Sequence, residues 1–152
     1  MKCCLRYLLI LALMICLGAK GAEARLLPKS AGYVANVVGE AYVTRLGNTN
    51  ALAEGQAIVE GMTLHTGASG GLAVMLEDGT LMALGPNSRF TLEHYRFQPA
   101  SETFLLRAGF HLGTLSLTGG AMARLDPGAI SLTTPQGRVD VHGGHALLKV
   151  AE

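Results

Sequence analysis

GGLAVMLEDGTLMALGPNSRFTL, residues 70–92, carries the reading of the fold. Asp78-Gly79 lies there between two short apolar runs, the strongest short-range signal for a β-hairpin. With those two residues as the whole loop, Glu77 pairs with Thr80, Leu76 with Leu81, Met75 with Met82 and Val74 with Ala83. Gly79 accepts the positive φ that such a turn demands. Both faces of this ribbon are apolar, which predicts strands covered on both sides, as inside a sandwich or flattened roll. Gly85-Pro86-Asn87-Ser88 then reads as a turn, and in RFTLEHYRF the residues Phe90 and Leu92 alternate with Arg89, Thr91 and Glu93. That strand has one wet face.

The pattern spreads in both directions. Glycine recurs every few residues, and the stretches between are short and rich in Val, Leu, Ala and Thr, so the chain reads as strands and turns. No apolar period of 3.6 survives long enough for a sizeable helix. The expectation is at most a turn or two near ALAEGQAIVEG (51–61), where Gly55 and Gly61 oppose it. GEAYV (39–43) and GRVDV (137–141) share a glycine, an alternation and a closing valine. Two such units do not make a solenoid, and they read as the opening and closing strands of one module. The fold class is therefore all-β: a single compact domain of short strands, sandwich or flattened β-roll, with little helix.

At the N-terminus Lys2 and Arg6 precede the apolar run LLILALMICLGA, and Ala22-Glu23-Ala24 follows. A positive n-region, a short apolar h-region and small residues at −3 and −1 form a secretory signal, with cleavage expected after Ala24. A spanning helix needs about 20 apolar residues, whereas Gly18 and Lys20 interrupt this run early. Lipidation at Cys16 is disfavoured by the bulky Ile15 before it. The organisation is then a signal over 1–24, a short segment over 25–32 and a β domain over 33–152, located in the periplasm or secreted. Nine of the twelve Lys and Arg and ten of the eleven Asp and Glu remain after cleavage, a net charge of −1. That balance lacks the basic footprint of a nucleic-acid binder. Cys3, Cys4 and Cys16 all leave with the signal, which removes disulfides, thiolate ligands and a cysteine nucleophile.

Few constellations point to chemistry. VDVHGGHALLKV (139–150) sets His142 and His145 around Gly143-Gly144, and a Gly-Gly pair between strands reads as a hairpin turn bearing two solvated imidazoles. Two ligands are too few for zinc, and His65, His94 and His111 are distant in sequence, so no metal is expected. Ser69-Gly70-Gly71 lacks the nucleophile elbow, no phosphate-binding glycine motif is present, and Asp78 already has a role in its turn. No catalytic residue, cofactor or enzymatic activity is expected. HYRFQPASETF (94–104) instead gathers Tyr95, Phe97 and Phe104 with Arg96 in a chain only 5% aromatic. Tyr95 and Arg96 are of the types that anchor interfaces, and they are the candidate partner-contact residues; the packing alternative puts Phe97 and Phe104 in the core with Tyr95 across its rim.

In order, these pieces resemble the FecR domain, a periplasmic β-module first associated with ferric-citrate regulation. The likeness begins at GYVANVVGEAYVTR (32–45), continues through LAEGQAIVEGMTLHTG (52–67), the hairpin of 71–92 and LRAGFHLG (106–113), and ends at TTPQGRVDVHGGHALLKV (133–150). The ending departs from the family pattern, with His142, Gly143 and Gly144 where arginine, glycine and threonine are usual and Leu147 where an aromatic is common. The resemblance implies a non-catalytic binding or sensing module of the bacterial cell envelope that contacts a protein or glycan. Members of the signalling branch carry a cytoplasmic helical segment and a transmembrane helix ahead of the domain, so a direct anti-sigma role is not expected. The alternative is a structural or assembly-support domain of an envelope or surface complex.

Overall fold

The computed structural model describes residues 28–151, so the signal and the cleavage after Ala24 lie outside the described residues. Among these residues twelve strands and one short helix follow one another: β1 (Ser30–Val38), β2 (Ala41–Arg45), β3 (Asn48–Ala51), β4 (Ala57–Val59), β5 (Thr63–Thr66), β6 (Gly71–Leu76), β7 (Leu81–Leu84), β8 (Arg89–Gln98), β9 (Thr103–Thr118), α1 (Ala121–Leu125), β10 (Ile130–Thr134), β11 (Gly137–Asp140) and β12 (His145–Val150). A 3-10 turn, Pro99–Ser101, joins β8 to β9. β1 opens three residues ahead of the expected domain start, with Ala31 already in the core.

All strands belong to one curled sheet, and β9 is its spine. Its first part, up to Leu112, pairs with β8 on one side and with β10 on the other; its last part, from Gly113, pairs with β7 and β12. One half of the sheet therefore runs β3-β2-β5-β8-β9-β10-β11, and the other β12-β9-β7-β6-β1-β4. Every pairing is antiparallel except β10 on β9. The inward faces of both halves meet in one cluster, with Val34, Val74 and Leu117 from one and Leu64, Phe90, Leu106 and Ile130 from the other. A half-exposed sheet cannot otherwise hide its apolar face, so the curl closes the core. The all-β expectation holds.

Four local expectations are corrected. The β6–β7 loop has three residues, not two, since Leu76 pairs with Thr80, Met75 with Leu81 and Val74 with Met82. Gly79 N–H donates to the Leu76 carbonyl at 3.0 Å with φ +81, a turn closed by a left-handed glycine. One residue of register decides which side chains are core, and this register turns Met82 and Leu84 inward rather than Leu81 and Ala83. The ribbon's outward side chains, Met75 and Leu81 among them, are only half-buried, so its second apolar face is not covered by a further layer of the described residues. The helical turn lies at α1, while 51–61 holds β4 and turns. The two glycine-led units are β2 and β11, one strand in from each end, and the opening and closing strands are β1 and β12.

Candidate functional site

The structure separates the two residues singled out as contacts. Alternation continued past Glu93 would put Tyr95 on the wet face of β8. A bulge between Leu92 and His94 reverses it, so Leu92 and Tyr95 both point inward and Arg96 points out. Tyr95 is 5% exposed. Its hydroxyl donates to Asp78 Oδ1 at 3.1 Å and accepts the Asp78 N–H at 3.1 Å, tying β8 to the β6–β7 turn of the other half-sheet. Burial, with the Asp78 carboxylate adding to it, pushes the phenol well above its ordinary pKa. The Asp78 carboxylate also accepts the Thr80 hydroxyl at 2.6 Å and the Met122 N–H at 3.2 Å, which fastens α1 to the same turn.

Arg96 stays on the surface, paired with Glu60, whose Oε1 also accepts the Tyr95 N–H at 2.7 Å. A cleft of about 320 Å³ opens beside it, lined in part by Lys29, Ser30 and Glu60. Phe97 and Phe104 pack on each other across β8 and β9 with ring centroids 5.8 Å apart, against the edge of the core. Tyr95→Phe is expected to cost about 1–2 kcal/mol through the lost buried hydrogen bonds. Arg96→Ala is expected to cost less than about 1 kcal/mol, because the pair is exposed. Urea denaturation of both variants checks the contrast, and equal losses would contradict the division of roles.

The histidine-glycine segment is not a hairpin. β11 turns back onto β10 and β12 pairs with β9, so Gly143-Gly144 carries the chain from one half-sheet to the other. His145 Nδ1 lies 3.0 Å from Thr118 Oγ1, and His142 Nδ1 lies 3.3 Å from the Asp140 carbonyl. The two imidazoles are occupied by different neighbours and do not face one another across a turn.

A polar surface invisible in the sequence lies on the outer face of the β3-to-β11 half. Pairing aligns Thr49 with Thr44, Thr44 with Thr63 and Thr63 with Thr91, one threonine from each of four adjacent strands. The row continues through Gly109 on β9 to Thr133 on β10 and Arg138 on β11. The hydroxyls touch in pairs, Thr44 to Thr49 at 2.8 Å and Thr63 to Thr91 at 3.0 Å. Two imidazoles extend them: His65 Nε2 lies 3.2 Å from Thr44 Oγ1, and His111 Nε2 lies 3.4 Å from Thr91 Oγ1. His111 rests over Gly109, where a Cβ would come within 2.7 Å of its Nε2.

A second row runs parallel, with Tyr42 opposite His65 and His65 opposite Arg89. Burial, with Arg89 adding to it, pushes His65 below its ordinary pKa and keeps it uncharged near neutrality. Thr44, Thr63, His65, Arg89, Thr91 and His111 together line a shallow depression of about 490 Å³. Threonine suits such a place twice over, since its branched Cβ favours a strand and its hydroxyl both donates and accepts. Each strand contributes one threonine to it, so only the register reveals the row. Among the described residues no three His, Cys, Asp or Glu side chains gather in a way that could hold a metal ion.

No family model and no curated protein matches this chain. A solved structure described as a cell surface anchoring domain superposes on 40% of this chain and 82% of its own, at 29% identity and a TM-score of 0.39. No helix among the described residues is long and apolar enough to cross a membrane.

Proposed function

We propose that this chain is a non-catalytic, FecR-like binding or sensing module of the bacterial cell envelope, exported by its N-terminal signal and acting in the periplasm or outside the cell on a protein or glycan partner, without a cofactor. The observation that carries the reading is the threonine row with its flanking imidazoles. A sheet whose inner face is core offers its outer face to solvent, and ordinary solvated faces are built from scattered charges. Here the face holds a row of hydroxyls with imidazoles beside it, aligned across four strands and clasping one another, with Arg89 as the fixed charge in the depression. Rigid strands hold such groups in place, which lowers the entropy cost of engaging a partner. Arg96, beside its cleft, is a secondary contact.

The test is co-sedimentation of the purified protein with envelope fragments of its host. Thr63→Arg with Thr91→Arg should weaken binding at least tenfold while circular dichroism stays unchanged, and Arg96→Ala should weaken it less. Full binding by the folded arginine variant, or saturable turnover of any substrate, would contradict the proposal.

A second reading, a structural or assembly-support domain, is favoured by the outer face of the other half-sheet. Tyr33, Met75, Leu81 and Thr118 stand in one cross-strand row there, and Asn36, Ala73, Ala83, Ser116 and Leu147 in the next. Leu147 is 70% exposed. Small and apolar residues on an outer face suit packing against another surface.

A further inference from the structure

We infer that the threonine face is a subsite for a linear, uncharged polysaccharide chain lying across strands β3, β2, β5 and β8, with Tyr42 as the platform for a sugar ring. The inference rests on the reading of this face as the partner surface and names the class of partner. Sugars present hydroxyls that donate and accept in many directions, together with patches of C–H. The face answers both needs. Thr44, Thr49, Thr63 and Thr91 supply hydroxyl rotors that donate or accept as required, and the ring nitrogens of His65 and His111 add further polar contacts. Tyr42, 38% exposed beside His65, supplies an aromatic surface with a polar tip.

Spacing adds to the chemistry. Neighbouring strands lie about 4.8 Å apart and the hydroxyls clasp in pairs across β3–β2 and β5–β8, so a hydroxyl pair recurs every two strands, nearly the length of two rings in an extended sugar chain. A polymer laid along the row meets a hydroxyl pair at every second ring.

Other occupants fit less well. An apolar helix or peptide requires large apolar anchors, and Tyr42 is the sole exposed large apolar side chain in the two rows across β3, β2, β5 and β8. A polyanion requires a run of cations. In the depression Arg89 is the one fixed cation, Glu93 lies farther along its strand, and Arg138 is already held by Asp140 at 2.8 Å.

The purified protein is titrated with two probes, envelope fragments of the host and the polysaccharide left after exhaustive protease digestion of those fragments, each at low and at high salt. Binding is expected to survive the digestion, to change less than about twofold with salt, and to fall at least tenfold in Tyr42→Ala and in Thr63→Val with Thr91→Val. Valine keeps the branched shape and strand preference of threonine and removes only the hydroxyl. Binding to intact fragments that disappears on digestion overturns the glycan while leaving the face as a protein contact. A steep fall with salt overturns the uncharged class. Binding to neither probe overturns the proposed function along with the inference.

Discussion

Asp78→Ala is expected to lower the stability of this protein by about 4 kcal/mol, the largest loss for any single side chain outside the apolar core. The carboxylate is buried and accepts four hydrogen bonds: Thr80 N–H and Tyr95 hydroxyl on Oδ1, Thr80 hydroxyl and Met122 N–H on Oδ2. Alanine leaves these donors inside the protein without an acceptor, and each buried unpaired group costs about 1–3 kcal/mol. The sum is held below the simple total because water can enter the space vacated. The elements involved are distant in sequence, since the β6–β7 turn, β8 and α1 all converge on this group. At roughly 4 °C of melting temperature per kcal/mol for a domain of this size, a drop of about 15 °C follows. Asp78→Asn should fall between, because the amide keeps one acceptor and turns an N–H2 toward donors. A melting temperature within a few degrees of the parent for Asp78→Ala would contradict the network.

Gly113→Ala is expected to cost as much or more, for a steric reason. Gly113 stands where β9 passes from one half-sheet to the other, at φ +97. An added Cβ would lie 2.1 Å from Ser88 Oγ and 2.5 Å from Ser88 Cα. Ser88 cannot step aside. Its Oγ accepts the Thr114 N–H at 3.1 Å, and its N–H donates to Thr66 Oγ1 at 2.8 Å, which in turn donates to the Gly85 carbonyl at 2.7 Å. A non-glycine residue at such a φ already costs about 1–3 kcal/mol, and displacing this seam adds to it. Gly71→Ala is the control, for its Cβ would meet nothing closer than 3.7 Å. Thermal melts should separate the two by more than 10 °C on the same scale, and equal melts would remove the seam from the account.

The all-β class was legible because its causes are local. Glycine at most turns, short apolar runs and the absence of a helical period act within a few residues. What escaped was decided by long-range partners. Asp-Gly permits both a two-residue and a three-residue loop, and the choice falls to a carboxylate buried against Tyr95 and α1. Gly143-Gly144 resembles a hairpin turn, but β11 has already paired with β10 through the tight Pro135-Gln136 turn, so β12 takes the open edge of β9 instead. The bulge after Leu92 turned Tyr95 from the wet face into the core, and left Arg96 as the exposed member of the pair. The threonine row is the extreme case. Thr44, Thr49, Thr63, Thr91 and Thr133 are unremarkable singly, and only strand register brings them onto one line.

The measurement that bears most directly on the central claim is an amide NMR map of the labelled protein as envelope fragments, sheared to soluble size, are added. Shifts and broadening are expected to concentrate on Tyr42, Thr44, Thr63, His65, Arg89 and Thr91, with Tyr33, Ala73, Ala83 and Leu147 on the opposite outer face unmoved. A map centred on that second group, with the threonine row silent, would contradict the assignment of the binding surface.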